Sequence, residues 1–198
     1  VYLQGGRELP YDVLVVATGV ILAFDETEGL TGPGWNEKVF TFYDVAGATG
    51  LAAALDKFEG GKLVVNVVDM PIKCPIAPLE FCFLADWYFT DRGIRDKVEI
   101  SYATPLDGAF TKPVASAALS SLLEEKGIHL VTEFNTGEVA MNDDGDGGKL
   151  IGYDGREVPF DLAVVVPMHS GADYVGRSEG LGDDLNFVPT DKHTMQAT

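Results

Sequence analysis

One phrase occurs twice in this sequence and limits what the chain can fold into. Pro10-Tyr11-Asp12-Val13-Leu14-Val15-Val16 is matched by Pro159-Phe160-Asp161-Leu162-Ala163-Val164-Val165. Each copy follows a charged hairpin, Gly6-Arg7-Glu8 and Gly155-Arg156-Glu157. A run of aliphatic residues without polar alternation is the pattern of a strand covered on both faces, as strands of a parallel sheet are. Each copy therefore reads as a strand that ends a small antiparallel meander and re-enters a parallel sheet. Residues 11–19 are expected to be such a buried strand, running into a turn at Gly19.

Between the copies, helix and strand patterns alternate. Asp44 to Phe58 has helical spacing and stops at Gly60-Gly61, and Lys62 to Val68 is a buried strand. Leu79 to Thr90 reads as a helix ending at Gly93, with Val98 to Ala103 the next strand. Val114 to Lys126 is a helix closed by Gly127, and Ile128 to Val131 the strand after it. Strands separated by helices of this length specify an α/β fold with a Rossmann-like parallel sheet. From Glu133 to Val158 short strands alternate with Asp/Gly turns, a β-meander, and Asp161 to Val166 is the last buried strand. Met168 to Thr198 carries little helix or strand signal. The doubled phrase thus implies two dinucleotide-binding folds, of which only the second is complete here. Residues 1–37 are assigned to a flanking domain, 38–168 to the central Rossmann domain, and 169–198 to a segment returning to the flanking domain.

Thirty-one acidic residues against 14 basic ones leave a formal charge of −17. Phosphate backbones would be repelled, so no nucleic acid is expected as a partner. No run of 18 apolar residues is present and Val1 opens into a polar turn, so neither a membrane span nor a signal peptide is expected. Two cysteines, Cys74 and Cys82, and three scattered histidines form no zinc pattern, and no metal site is expected. Asn142 to Gly147 imitates the start of a calcium loop, but position 12 falls on Tyr153 instead of a bidentate Glu, so a hairpin turn is expected. His169 and His193 fall in loops, with solvated or structural roles expected.

The turn after Val68 carries the chemistry. A dinucleotide-binding domain places glycines there, so that backbone N–H groups can approach a pyrophosphate at a helix N-terminus. Here the turn reads Asp69-Met70-Pro71-Ile72-Lys73-Cys74-Pro75-Ile76-Ala77-Pro78, with no glycine and three prolines. Proline has no N–H to offer. The domain reads as one that has lost its nucleotide site. In place of the glycines stands a thiol just before a helix, where the helix dipole favours an anion. Cys74 is the candidate catalytic residue. Cys82, in mid-helix among Phe81, Phe83 and Leu84, is expected to be an inert core thiol.

Pro71-Ile72-Lys73-Cys74-Pro75-Ile76-Ala77-Pro78 followed by Glu80 resembles the P-x-K-C-x-x-A-P-x-E motif of sulfide:quinone oxidoreductases and the related flavocytochrome c sulfide dehydrogenases. Phe83 to Phe89 and Arg92 to Val98 continue the likeness. Tyr11 to Gly19 resembles their YD-x-L-V-x-A-T-G segment, and Asp191, Thr194 and Gln196 a segment shortly before their last flavin motif. The resemblance implies that sulfide is oxidised at Cys74 and that electrons pass as a pair through FAD to a quinone. It also implies that Ala17, Thr18, Gly19 and Thr194 lie against FAD in the full-length parent. The glycine-rich pyrophosphate turn is not among these residues, so FAD is expected to be absent from the isolated chain. Either a second redox cysteine is expected outside it, or the reaction uses one cysteine and bound polysulfide. Cys82 lies eight residues from Cys74, about 12 Å along a helix, beyond the roughly 7 Å a disulfide spans. The parent is expected in the cytoplasm or peripheral to a membrane, with homo-oligomerisation open. A flavocytochrome-type sulfide dehydrogenase, a type II NADH dehydrogenase-like flavoprotein, and a domain catalytically silent without its cofactor are the alternative readings.

Overall fold

The structure is a computed structural model describing residues Val1–Thr198. The elements run β1 (Ile21–Ala23), β2 (Val39–Phe40), α1 (Val45–Lys57), β3 (Gly61–Val67), α2 (Ala77–Asp91), β4 (Val98–Ala103), α3 (Pro113–Glu125) and β5 (Ile128–Val131). β6 (Thr136–Met141), β7 (Gly148–Gly152), β8 (Glu157–Phe160), β9 (Leu162–Val166), β10 (Met168–Ser170) and α4 (Asp173–Gly176) follow. The chain divides into two compact units, Leu22–His169 and a second made of Val1–Ile21 with Ser170–Thr198.

The larger unit is built on a parallel five-stranded sheet in the order β2-β9-β3-β4-β5. Its strand residues alternate between two cores. Leu63, Val65 and Val67 of β3 face α1, α2 and α3, meeting Leu51, Leu79, Phe89 and Leu123. Val64, with Ala163 and Val165 of β9, faces the other way onto Val139, Leu150 and Phe160 of the antiparallel sheet β6-β7-β8. A meander thus covers the face opposite the helices. This two-sided burial explains why β3 and β9 contain hydrophobic runs and not alternating patterns. Leu30 packs into the second core, so the loop around it belongs to this unit.

Local chemistry sets the element ends. Asp44 caps α1 by accepting the Gly47 N–H at 2.7 Å. Arg92 closes its other end, donating to the carbonyls of Leu55 and Phe58. α2 starts two residues before the expected Leu79, with Pro78 in its first turn. Its sequence is apolar on nearly every face, yet Leu84 and Trp87 are each 62% exposed. Its buried positions, Leu79, Cys82, Ala85, Asp86 and Phe89, fall on one stripe. Gly61, at φ +110, must be glycine because a Cβ would run into the Asp161 carboxylate. That carboxylate accepts the Lys62 N–H at 2.6 Å and joins β3 to the entry of β9. The calcium-loop imitation is the turn between β6 and β7, as expected, with Asp146 paired to Lys38.

In the smaller unit, the expected buried strand over residues 11–19 is not formed. These residues make no strand, and Val13 and Val15 are about four-fifths exposed, at 82% and 80%. The reason lies in the difference between the two copies of the repeated phrase. Its second copy becomes β9 because β2 and β3 flank it on both sides. The first copy has an equally apolar sequence but no ladder among these residues to join, and a strand exists only through its ladder. Residues 171–198 hold one helical turn and a series of local turns, close to the irregular segment expected.

Asp86 locks three elements of the larger unit. Its carboxylate binds Arg95 Nε at 2.7 Å and Lys126 Nζ at 2.9 Å. Arg95 also donates to the carbonyls of Val98, Lys126 and Gly127, joining α2, the start of β4 and the end of α3. Burial works against the charged form of Asp86. The hydrogen bonds from Lys126 and Arg95 outweigh it and hold the carboxyl below its ordinary value. Asp86→Ala would leave Arg95 half-buried without its counter-charge. The expected cost is about 3 kcal/mol, at the low end for a buried pair because Lys126 reaches solvent. A urea melt of the variant showing an unchanged midpoint would contradict this.

Candidate active site

In an open parallel sheet, the loops leaving the C-terminal ends of the strands converge on one edge. Here three of those loops bring together Tyr43, three residues past β2, Lys73 and Cys74, past β3, and His169, past β9. The neighbouring order β2-β9-β3 makes this possible, since the three ends stand side by side.

Cys74 is exposed and lies three residues before the first residue of α2, just ahead of a helix as expected. Its carbonyl accepts the Ala77 N–H at 3.0 Å, which leads the turn into the helix. Its backbone is left-handed, φ +54. For a residue with a Cβ this costs about 1 kcal/mol, so the surroundings must hold it there. The Tyr43 hydroxyl lies 2.9 Å from the Lys73 carbonyl and 3.2 Å from the Cys74 carbonyl. The Lys73 ammonium stands over the Tyr43 ring, 5.7 Å from its centroid. Burial, and then the nearby Cys74 thiol, push the Tyr43 phenol well above its ordinary value, so it remains a donor.

Of the solvated or structural roles expected for His169, the structure shows the structural one, with the residue in β10 and not in a loop. It is 2% exposed and its ring meets Tyr43 edge-on, 5.3 Å between centroids at 89°. Its Nδ1 lies 3.0 Å from the Pro167 carbonyl, which makes that nitrogen the N–H donor. Nε2 is then a buried acceptor, and no donor reaches it. Burial lowers the His169 pKa, the Pro167 carbonyl opposes this, and the Lys73 charge lowers it further. Neither Tyr43 nor His169 stands out in the sequence. Their common signal is position, since each follows a parallel strand at its C-terminal end.

Cys82 is fully buried, and burial raises its thiol far above the ordinary range. It is the core thiol expected. The other sequence-derived site residues, Ala17, Thr18, Gly19 and Thr194, belong to the smaller unit and are exposed. The Thr18 hydroxyl pairs with Tyr174 at 2.8 Å, while that of Thr194 binds Asp191 at 3.0 Å, two networks that share no residue. Gly19, at φ +71, has open space where a Cβ would stand. The backbone N–H groups of residues 17–19 have no partner within the chain.

The residues differ from those of a dinucleotide-binding site in two places. The turn after β3 offers prolines where N–H donors are needed. The end of β4, where a carboxylate binds ribose in dinucleotide sites, carries Ala103 and Thr104, both fully buried.

No protein-family profile matches the chain. It is similar over nearly its whole length to mitochondrial sulfide:quinone oxidoreductases. The enzyme of Mus musculus is 26% identical over 98% of this chain and 43% of its own length. That of Schizosaccharomyces pombe is 28% identical over the same shares. The chain thus spans under half the length of these relatives. Among solved structures, the sulfide:quinone oxidoreductase of Aquifex aeolicus superposes with a TM-score of 0.71 at 21% identity. The likeness covers 92% of this chain and 42% of that one.

Two outcomes are expected from this geometry. The proline-rich turn should give no saturable NADH binding up to about millimolar concentration; micromolar affinity by calorimetry would overturn the reading of residues 69–78. The second concerns pH. His169 is kept neutral in the folded chain, while in the unfolded chain it takes up a proton near the ordinary value of about 6.5. Its contribution to stability is therefore complete above that value and is lost as pH falls toward the depressed folded value. Between pH 7.5 and 5.5 the thermal midpoint should fall in the parent and stay flatter in His169→Gln, by about 2–4 °C per kcal/mol of linkage. Identical slopes for the two proteins would remove His169 as the cause.

Proposed function

We propose that these residues are the central part of an FAD-dependent sulfide:quinone oxidoreductase, and that sulfide sulfur is oxidised at Cys74. The observation that carries the reading is the turn after β3. A strained, exposed thiol at the C-terminal edge of the sheet stands where a dinucleotide-binding domain would place its phosphate-binding glycines. The likeness to sulfide:quinone oxidoreductases supports it.

Within the stretches 1–37 and 169–198, the residues of the smaller unit, 1–21 and 170–198, are proposed to contribute to the flanking FAD-binding domain of the longer protein. The unpartnered N–H groups of Ala17, Thr18 and Gly19 and the open space at Gly19 fit a ligand that packs against bare backbone. Thr194, on an exposed turn fixed by Asp191, would supply a further contact. FAD, when bound, supplies a two-electron acceptor. The chain's own part is to hold the sulfur. Cys74 presents the exposed thiol to which the sulfur would be joined as an electron pair leaves for FAD, and Lys73 places a positive charge near an incoming anion. Cys82 takes no part, because sulfide cannot reach a fully buried thiol. No helix is long and apolar enough to cross a membrane. A quinone substrate would be met by peripheral attachment.

In the full-length flavoprotein, Cys74→Ser should retain FAD and lose sulfide-dependent bleaching of the flavin to background. Stopped-flow absorbance would decide it: a serine variant that still bleaches at near the parental rate rules out Cys74 as the site of sulfur oxidation.

A further inference from the structure

We infer that Tyr43 is a positioning residue for Cys74, holding the thiol-bearing turn through its hydroxyl. This deepens the reading of Cys74 as the reactive thiol and rests on it.

Cys74 has a left-handed backbone that its own side chain does not favour, and the turn has no glycine to relieve it. Within the turn, the Ala77 N–H reaches the Cys74 carbonyl, and the Met70 N–H is taken by the Asp69 side chain. The Lys73 carbonyl, immediately before Cys74, has one partner, the Tyr43 hydroxyl. That hydroxyl carries one proton and lies closer to Lys73 O (2.9 Å) than to Cys74 O (3.2 Å). The main bond is therefore to Lys73, with a weaker share to Cys74. The two carbonyls flank the Cys74 N–Cα bond. A donor that draws both toward one point restrains the φ torsion between them.

A restraint is useful only if its anchor is rigid. Tyr43 sits two residues beyond the fully buried Thr41, where the chain leaves β2. Its ring is bounded by Phe42, by His169 edge-on and by the Lys73 ammonium. His169 is in turn fixed by the Pro167 carbonyl past β9. The turn after β3 is thus tied to two other strands of the sheet, through a group that stays protonated. A half-buried tyrosine that merely satisfies its hydroxyl would show the same bond without controlling the thiol, and experiment separates the two.

The test is the rate at which iodoacetamide alkylates Cys74 in the intact 198-residue chain at neutral pH, read by peptide mass spectrometry, with Cys82 as the internal check on folding. No sulfide is involved, so this result stands apart from the fate of the sulfide reading. Tyr43→Phe keeps the ring and removes the donor. It should slow Cys74 alkylation about fivefold, a typical effect of one hydrogen bond, while Cys82 stays protected. Replacing Tyr43 with 4-aminophenylalanine restores a donor at the same place and should return Cys74 to within about twofold of the parental rate. A purely structural role predicts no such rescue. If Tyr43→Phe leaves the Cys74 rate unchanged, the inference is overturned. If Tyr43→Phe exposes Cys82, the amino variant decides. A parental Cys74 rate with Cys82 protected supports the inference, and any other result overturns it.

Discussion

The parallel sheet can exist only if both of its faces are sealed, and the rest of the larger unit follows from that requirement. β3 and β9 have no polar face to give to water. Three helices seal one side, and the β6-β7-β8 meander seals the other. With both faces occupied, the exits of the strands are where side chains can meet outside the core. Tyr43, Lys73, Cys74 and His169 come together there because three neighbouring strands end side by side. Even the one polar side chain deep in β3, Asn66, is turned to structural use. It bonds the Ala103 carbonyl of β4 and the Thr136 hydroxyl of β6, and so fixes the meander against the sheet.

Much of this was legible in the sequence, for identifiable reasons. The buried strands and the helices between them were marked by unbroken aliphatic runs, by glycines at their ends and by helical spacing. The Asn142 turn is a local signal read locally, whereas the helical spacing begins at Asp44 without marking that residue as the cap of α1. Cys74 stands out in the sequence as a proline-framed cysteine in a turn without glycine, and it lies just ahead of α2 as expected. Other features depended on partners remote in sequence. Residues 11–19 have the composition of a core strand, but composition cannot supply a neighbour. Whether His169 is solvated or structural is undecided by its flanking residues, which resemble a loop; contact with Tyr43, after β2, goes with its burial. Tyr43 carries no local mark at all. Its importance comes from a strand order in which β2 and β3 are separated only by β9.

The larger unit keeps a Rossmann-like architecture around a turn that differs from a dinucleotide-binding one. The sheet, its crossovers and its meander all persist, and the alteration is confined to one turn and one strand end. Proline removes donors and fixes the backbone. The left-handed cysteine then needs an outside restraint, which a glycine turn would not. A tyrosine from the next strand but one is placed to provide it. The shape of this edge therefore depends on tertiary contacts, where a glycine turn would depend mainly on the backbone of a single loop.

The bare segment from Tyr11 to Gly19 bears on how molecules of this chain behave toward one another. An apolar stretch with unpaired amides is a template for strands from other copies, and nothing within the segment guards it except Asp12. What opposes such pairing is the formal charge of −17 carried by every copy. That repulsion reaches only about 10 Å in 0.1 M salt and less as salt is added. Colloidal stability in this chain is thus a contest between a sticky edge and a screened electrostatic barrier, and the ionic strength of the medium sets the balance.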